Sequence, residues 1–220
     1  MNKAAPYDYF YTKVMDLSVW ICTNILRFGK YENESIIKFA AADKKSNILD
    51  YGCNTGRHAL NVKHAYGYNV MGADINPAAI SVAQRKGIPA ELITPKLFEK
   101  YKLSFDIIIN SHVLEHVDDP KDFLVNIRGL LKEDGTFVIA IPQERIRGDI
   151  TPLQILYFLI RLKFENPHKY KFSKDQLFML LKEVGFVPEE HNFCNFIPPF
   201  LTKDRKYITS RSLVVKCTKK

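Results

Sequence analysis

Cysteine is scarce in this chain of 220 residues: Cys22, Cys53, Cys194 and Cys217 are scattered, with no C-x-x-C pair and no metal-finger spacing. That excludes a disulfide scaffold and a zinc ribbon, and leaves free thiols in a reducing compartment as the expectation. Long apolar runs are missing too. The most apolar stretches, around residues 17–26 and 155–162, fall well short of the roughly 18 residues of a membrane span. The opening MNKAAPYDYFYTK has no apolar signal core, so a cytoplasmic protein is expected. Internal repeats and low-complexity linkers are absent as well. What the chain does have, 46% hydrophobic and 12% aromatic residues, marks a globular fold with one sizeable core rather than two domains and a linker.

The net charge of +8 is unevenly placed. Residues 143–174 carry seven Lys/Arg against three Asp/Glu, and residues 201–220 carry seven against one, leaving the remainder slightly acidic. A solvated lysine-rich surface would account for either segment alone. Together they favour an anionic partner.

Between residues 47 and 142, short apolar runs alternate with helical patterns, which predicts β-α-β units and a parallel sheet. Strands are expected at Asn47–Asp50, Asn69–Ala73, Ala90–Ile93, Phe105–Asn110 and Thr136–Ile141. Helices are expected from Arg57 to Tyr66, from Pro77 to Lys86 behind an Asn76 cap, and from Asp119-Pro120 to about Lys132. Glu133-Asp134-Gly135 reads as a turn. Ser173-Lys174-Asp175-Gln176 matches a capping box for a helix ending at Gly185, and strands near Val187–Phe196 and Tyr207–Cys217 complete the chain. Residues 1–45, helical and aromatic-rich, and the basic insertion 143–172 are expected to cover the open strand edge over a core of residues 46–142, with 173–220 closing one domain.

In open α/β sheets, ligands bind beyond the carboxyl ends of the strands. The loop Asp50-Tyr51-Gly52-Cys53-Asn54-Thr55-Gly56 sits there, ahead of a helix N-terminus. A nicotinamide dinucleotide would want glycine at 52, 54 and 57, where the chain has Gly52, Asn54 and Arg57, so that reading fails. Asp50 would also repel a pyrophosphate, whereas an ammonium suits it. Asp74 ends the second strand, 24 residues beyond Asp50, where an acid can bind both ribose hydroxyls. D-x-G-x-x-x-G after a buried strand, Asp74-Ile75-Asn76-Pro77, and FDIIINSHVLEHVDDP over residues 105–120 together resemble the class I S-adenosylmethionine-dependent methyltransferases, in their small-molecule, ubiquinone-type branch.

The resemblance covers about residues 46–185. It implies a Rossmann-like, seven-stranded, mostly parallel sheet with helices on both faces and an antiparallel C-terminal hairpin. It also implies S-adenosylmethionine as cofactor and S-adenosylhomocysteine as product. Asp50, Gly52, Cys53, Asn54, Gly56, Asp74, Ile75, Thr94, Ser111 and His112 are the implied cofactor residues. The chain departs from the family at Asn54, which replaces a glycine but tolerates left-handed backbone, and at Thr94, where an acid or amide normally serves the adenine.

His112, Glu115 and His116 would share one face of a helix, and His168 in PHKYKFS resembles the late histidine of several relatives. His116 or His168 is expected as general base, with Glu115 beside it. No metal is required. As an alternative, His112, Glu115, His116 and His168 could hold a zinc-like ion, as a related segment does in small-RNA 2′-O-methyltransferases. Arginines, lysines and apolar residues in the insertion suit an acceptor with an apolar body and an anionic group. Methyl transfer to an oxygen of a small-molecule, glycan or lipid-linked acceptor is therefore expected. RNA 2′-O-methylation is the alternative, and a non-catalytic partner subunit of the same fold the third reading.

Overall fold

Five strands lie parallel because between each and the next a helix carries the chain back across the sheet. They are β1 (Asn47–Tyr51), β2 (Asn69–Asp74), β3 (Ala90–Leu92), β4 (Phe105–Ser111) and β5 (Leu131–Pro142). The computed structural model describes residues 29–41, 45–67, 69–143, 168–195, 200–204 and 210–219, with Lys13, Leu17, Trp20 and Ile21. Most of the expected N-terminal cover and of the insertion 143–172 therefore lies outside the described residues.

The helices whose full extent lies among the described residues are α1 (Lys30–Phe39), α2 (Arg57–Tyr66), α3 (Pro77–Arg85), α4 (Pro95–Lys100), α5 (Pro120–Leu130) and α6 (Lys174–Glu183). Local chemistry sets their starts. The Asn76 side chain accepts from the Ala78 amide, Asp119 accepts from Lys121 and Asp122, and Ser173 with Gln176 forms the predicted capping box. Each such cap contributes about 1 kcal/mol. Helix α4 was not predicted: after Pro95 it is barely a turn and a half, too short to show a period, and it buries only Leu97.

The sheet order is β3-β2-β1-β4-β5-β8-β6-β7, with β6 (Phe186–Asn195), β7 (Leu201–Thr202) and β8 (Ser210–Lys219). The expected count of seven strands is thus corrected to eight among the described residues. The extra strand, β7, has two residues that pair with Phe193 and Cys194 at the sheet edge, too few for any alternation to register. The antiparallel pair was foreseen; β8 slots between β5 and β6. The turn at 133–135 falls within β5, where β4 pairing skips from Leu131 to Thr136.

Strand residues alternate between two cores. On one face Leu49, Ile108, Phe137 and Ile139 pack with Leu124 and Ile127 of α5 and Leu177 and Leu181 of α6. On the other, Ile48, Ile107, Ile109 and Val138 pack with Ile36 and Phe39 of α1 and Ala59 and Val62 of α2. A fully buried side chain of this size contributes about 1.5–3 kcal/mol. Strand order reverses between β1 and β4, so their carboxyl ends diverge and leave a crevice.

Candidate active site

Backbone conformations that most residues avoid shape the loop between β1 and α2. Gly52, Asn54 and Gly56 have φ of 80°, 47° and 79°. A Cβ on Gly52 would stand 2.3 Å from Val113 Cγ2, so only glycine lets the β4 tip close on this loop. Asn54 adopts the left-handed backbone expected of it. Its amide donates to Asp74 Oδ2 at 2.8 Å, and the amides of Gly52 and Cys53 donate to the Ala73 carbonyl at 2.7 and 3.0 Å. The loop is thereby tied to the tip of β2.

Asp50 and Asp74 stand on adjacent strands. Asp50 Oδ2 accepts from the Ala59 amide at 3.0 Å, and burial pushes its carboxyl up to about 7 against the pull of that amide and of Arg57. Burial also raises Asp74, opposed by the amides of Asn76 and Asn54 that donate to it. Ile75 is 63% exposed beside it. The Ile93 amide donates to the Asp74 carbonyl at 2.9 Å, which brings Thr94, at the head of α4, to the same edge. Cys53 is buried, and burial followed by the Asp50 and Asp74 charges pushes its thiol up, so it serves as packing rather than as a nucleophile.

At the β4 tip, Asn110 Nδ2 donates to the Tyr51 carbonyl at 2.9 Å. Asn110 Oδ1 and Ser111 Oγ are buried and have no hydrogen-bond partner among the described residues. His112 has φ 56°, and its amide donates to the Ala140 carbonyl at 2.9 Å. The segment 112–116 is not an α-helix but this left-handed residue followed by a 3-10 turn, Leu114–His116. The three side chains still meet. His112 Nδ1 lies 3.4 Å from Glu115 Oε1, and His116 Nε2 lies 3.9 Å from the same oxygen.

His168 arrives from the far side of the insertion and packs edge-on against His116, with ring centroids 4.7 Å apart at 75°. The Lys169 and Tyr170 amides, at 2.7 and 3.2 Å from the Glu115 carbonyl, hold that segment in place. Glu115 is 1% exposed; burial disfavours its charge, but His112 and then His116 hold it below the usual carboxylate range. One donor atom from each of Glu115, His116 and His168 lies within 4.8 Å of the others. His112, which meets Glu115 through Nδ1, turns its other nitrogen to α1: its Nε2 is 3.0 Å from Glu32 Oε2. Burial opposes a charged His112 ring, yet Glu32 and Glu115 outweigh it and push its pKa up to about 10. The two carboxylates thus favour the charged form of the His112 ring.

Glu32 escaped the reading by pattern, as did Arg57, whose Nη2 is 3.8 Å from Glu32 Oε1. The available signal was an acid at residue 32 sharing the buried face of α1 with Ser35, Ile36 and Phe39. Its partner is 80 residues away in sequence.

This donor set fits S-adenosylmethionine. Carboxylates on adjacent strand tips suit its ammonium and ribose hydroxyls, the glycine-opened loop lets backbone approach, and the orphaned Asn110 and Ser111 oxygens line the same end of the sheet. The fold and the site together define a class I S-adenosylmethionine-dependent methyltransferase. A family described as a methyltransferase domain matches residues 25–191, and the chain belongs to it. It is 25% identical over 188 residues to the ubiquinone biosynthesis O-methyltransferase of Rickettsia canadensis, covering 82% of this chain and 79% of the relative. In fold it is similar to a Thermotoga maritima methyltransferase described as a possible histamine N-methyltransferase (TM-score 0.65, 19% identity, 96% of this chain and 99% of that one). It is also similar to the Burkholderia thailandensis 1,6-didemethyltoxoflavin-N1-methyltransferase, solved with S-adenosylhomocysteine (TM-score 0.60, 20% identity, 100% and 92%). No helix among the described residues is long and apolar enough to cross a membrane.

Proposed function

We propose that the chain methylates an oxygen of a small-molecule acceptor, with the His116–His168 pair as the proton-accepting group. The observation that carries this reading is the buried Glu115 carboxylate beneath two imidazoles, on a segment whose Val113 touches Gly52 of the cofactor loop. Bound S-adenosylmethionine supplies an electrophilic methyl group on sulfur together with its leaving group. Asp50, Gly52, Cys53, Asn54, Gly56, Asp74, Ile75, Thr94 and Ser111 would hold it. His112 borders the methionine end but has both ring nitrogens facing carboxylates. The remaining work is alignment, exclusion of water and removal of a hydroxyl proton. His116 or His168 takes that proton, and Glu115 orients the ring and stabilises the imidazolium once formed, as a buried acid does in other proton relays.

The ubiquinone-pathway name of the Rickettsia relative favours an oxygen acceptor, and the basic, apolar insertion favours one with an anionic group on an apolar body, lipid-linked or glycan-linked included. A cytoplasmic setting accords with the buried free thiols Cys53, Cys194 and Cys217. The test is transfer of labelled methyl to a panel of phenolic acids, with a lipid-linked sugar and an unstructured RNA as competitors. His116→Gln or His168→Gln should lower turnover by about 100-fold, the usual span for a lost general base, with cofactor affinity nearly unchanged. Transfer to RNA alone, or full activity in both variants, would sink the reading.

A second reading is favoured by one distance. Donor atoms of Glu115, His116 and His168 within 4.8 Å could hold a divalent ion that activates the acceptor oxygen, and two imidazoles with one carboxylate suit zinc. Stoichiometric metal after mild purification, lost in His168→Gln, would support it. A metal-free protein with full activity in chelator would remove it.

A further inference from the structure

A buried acid from outside the strand tips joins the two halves of the site. Glu32 lies on α1 and is 3% exposed. Its Oε2 is 3.0 Å from His112 Nε2 and accepts a hydrogen bond from the Ser212 hydroxyl, while its Oε1 is 3.8 Å from Arg57 Nη2. Arg57 opens α2 directly after the cofactor loop and reaches His58 Nε2 at 2.8 Å. On the other side His112 meets Glu115, and Glu115 meets His116. Side chains of alternating charge thus run from the head of α2 to the histidine pair.

Packing alone does not call for an acid here. An apolar residue would fill a helix face as well, and a buried carboxylate survives only when paired and hydrogen-bonded. Nor is Glu32 needed to dock α1 on α2. Asn61 Nδ2 donates to Asn33 Oδ1 at 2.7 Å, and the Tyr66 hydroxyl donates to the Ile37 carbonyl at 3.0 Å. Ile36 and Phe39 bury the apolar face of the helix beside them.

We propose that Glu32 is a positioning residue for methyl transfer. It holds His112 in its left-handed turn and Arg57 at the head of α2, so that the cofactor loop and the acceptor-side histidines keep one spatial relation. What those histidines do rests on the reading above; where they are held does not. Helix α1 is then part of the catalytic frame.

The test uses the full chain with Glu32→Gln and the double variant Glu32→Gln/His112→Gln. Melting temperature, S-adenosylhomocysteine affinity and the ring-proton signals of His116 and His168 are measured, the signals with and without ligand. Glu32→Gln should weaken S-adenosylhomocysteine by about tenfold, a usual coupling within one ion-pair network, and should move the His116 signal, three contacts away. The double variant also removes the buried ring that Glu32→Gln leaves without its nearest partner, so its melting temperature should recover while affinity and ring signals stay displaced. The proposal is overturned if a folded Glu32→Gln protein binds within about twofold of the unsubstituted chain with its ring signals unmoved. It is equally overturned if the double variant restores all three properties together, or if neither variant folds, since Glu32 would then serve the fold alone. An unsubstituted chain that fails to bind S-adenosylhomocysteine would overturn the functional reading, and the ligand-free ring signals would still decide this one.

Discussion

Asp50 carries a conflict between fold and function. Buried at 1% exposure, its carboxyl is pushed up to about 7 from 3.8, so the folded chain holds a proton there that the unfolded chain releases. Stability therefore falls as pH rises through that window, by ~1.4 kcal/mol per pH unit at most. Asp50→Asn removes the effect while leaving an oxygen for the Ala59 amide. Its melting temperature should exceed that of the unsubstituted chain by about 5 °C or more at pH 8 and by little at pH 4. Its cofactor affinity should drop by about tenfold or more, because a charge-assisted contact to an ammonium is lost. Parallel melting curves at every pH would refute the buried-acid account. Gly52 shows a different constraint. Gly52→Ala should cost about 1–2 kcal/mol from backbone conformation alone, plus the clash with Val113. Adding Val113→Ala should return only the clash, leaving the double variant less stable than Val113→Ala. Chemical denaturation of all three separates these contributions.

At the scale of elements, legibility followed locality. Apart from α4, the strands and helices between Asn47 and Pro142 were readable because each is a run of one period with its own stop and start. The loop glycines, Asp50, Asp74 and the β4 segment were readable because strand tips are fixed once the strands are. Ser173 and Gln176 announced α6 by spacing alone, and Ser173→Ala should cost about 1 kcal/mol with no effect on cofactor affinity, measured by melting and calorimetry. A loss of affinity there would mean that α6 positions the site more tightly than its contacts indicate. Helix α4 and strand β7 escaped because neither is long enough to carry a period. For the histidine segment, helical spacing was only a condition for one shared face: a left-handed His112 and a 3-10 turn bring Glu115 beside His112 and His116 instead.

For the whole molecule, the site is assembled from contacts remote in sequence, and that is where patterns fall silent. Glu32 to His112 spans 80 residues and Glu32 to Ser212 spans 180, and neither has any local signature beyond an acid on a buried helix face. The placing of β8 between β5 and β6 has the same character: alternation reveals a strand but not its neighbours. The cofactor half of the crevice is therefore the better-read half, since two adjacent strand tips and one loop suffice to build it. Its central claim, that Asp50 and Asp74 with the glycine-opened loop hold S-adenosylmethionine, is tested most directly by calorimetric titration with S-adenosylhomocysteine. The unsubstituted chain should form a one-to-one complex that Asp74→Ala abolishes. No binding by the unsubstituted chain, or equal binding by a folded Asp74→Ala protein, would contradict it.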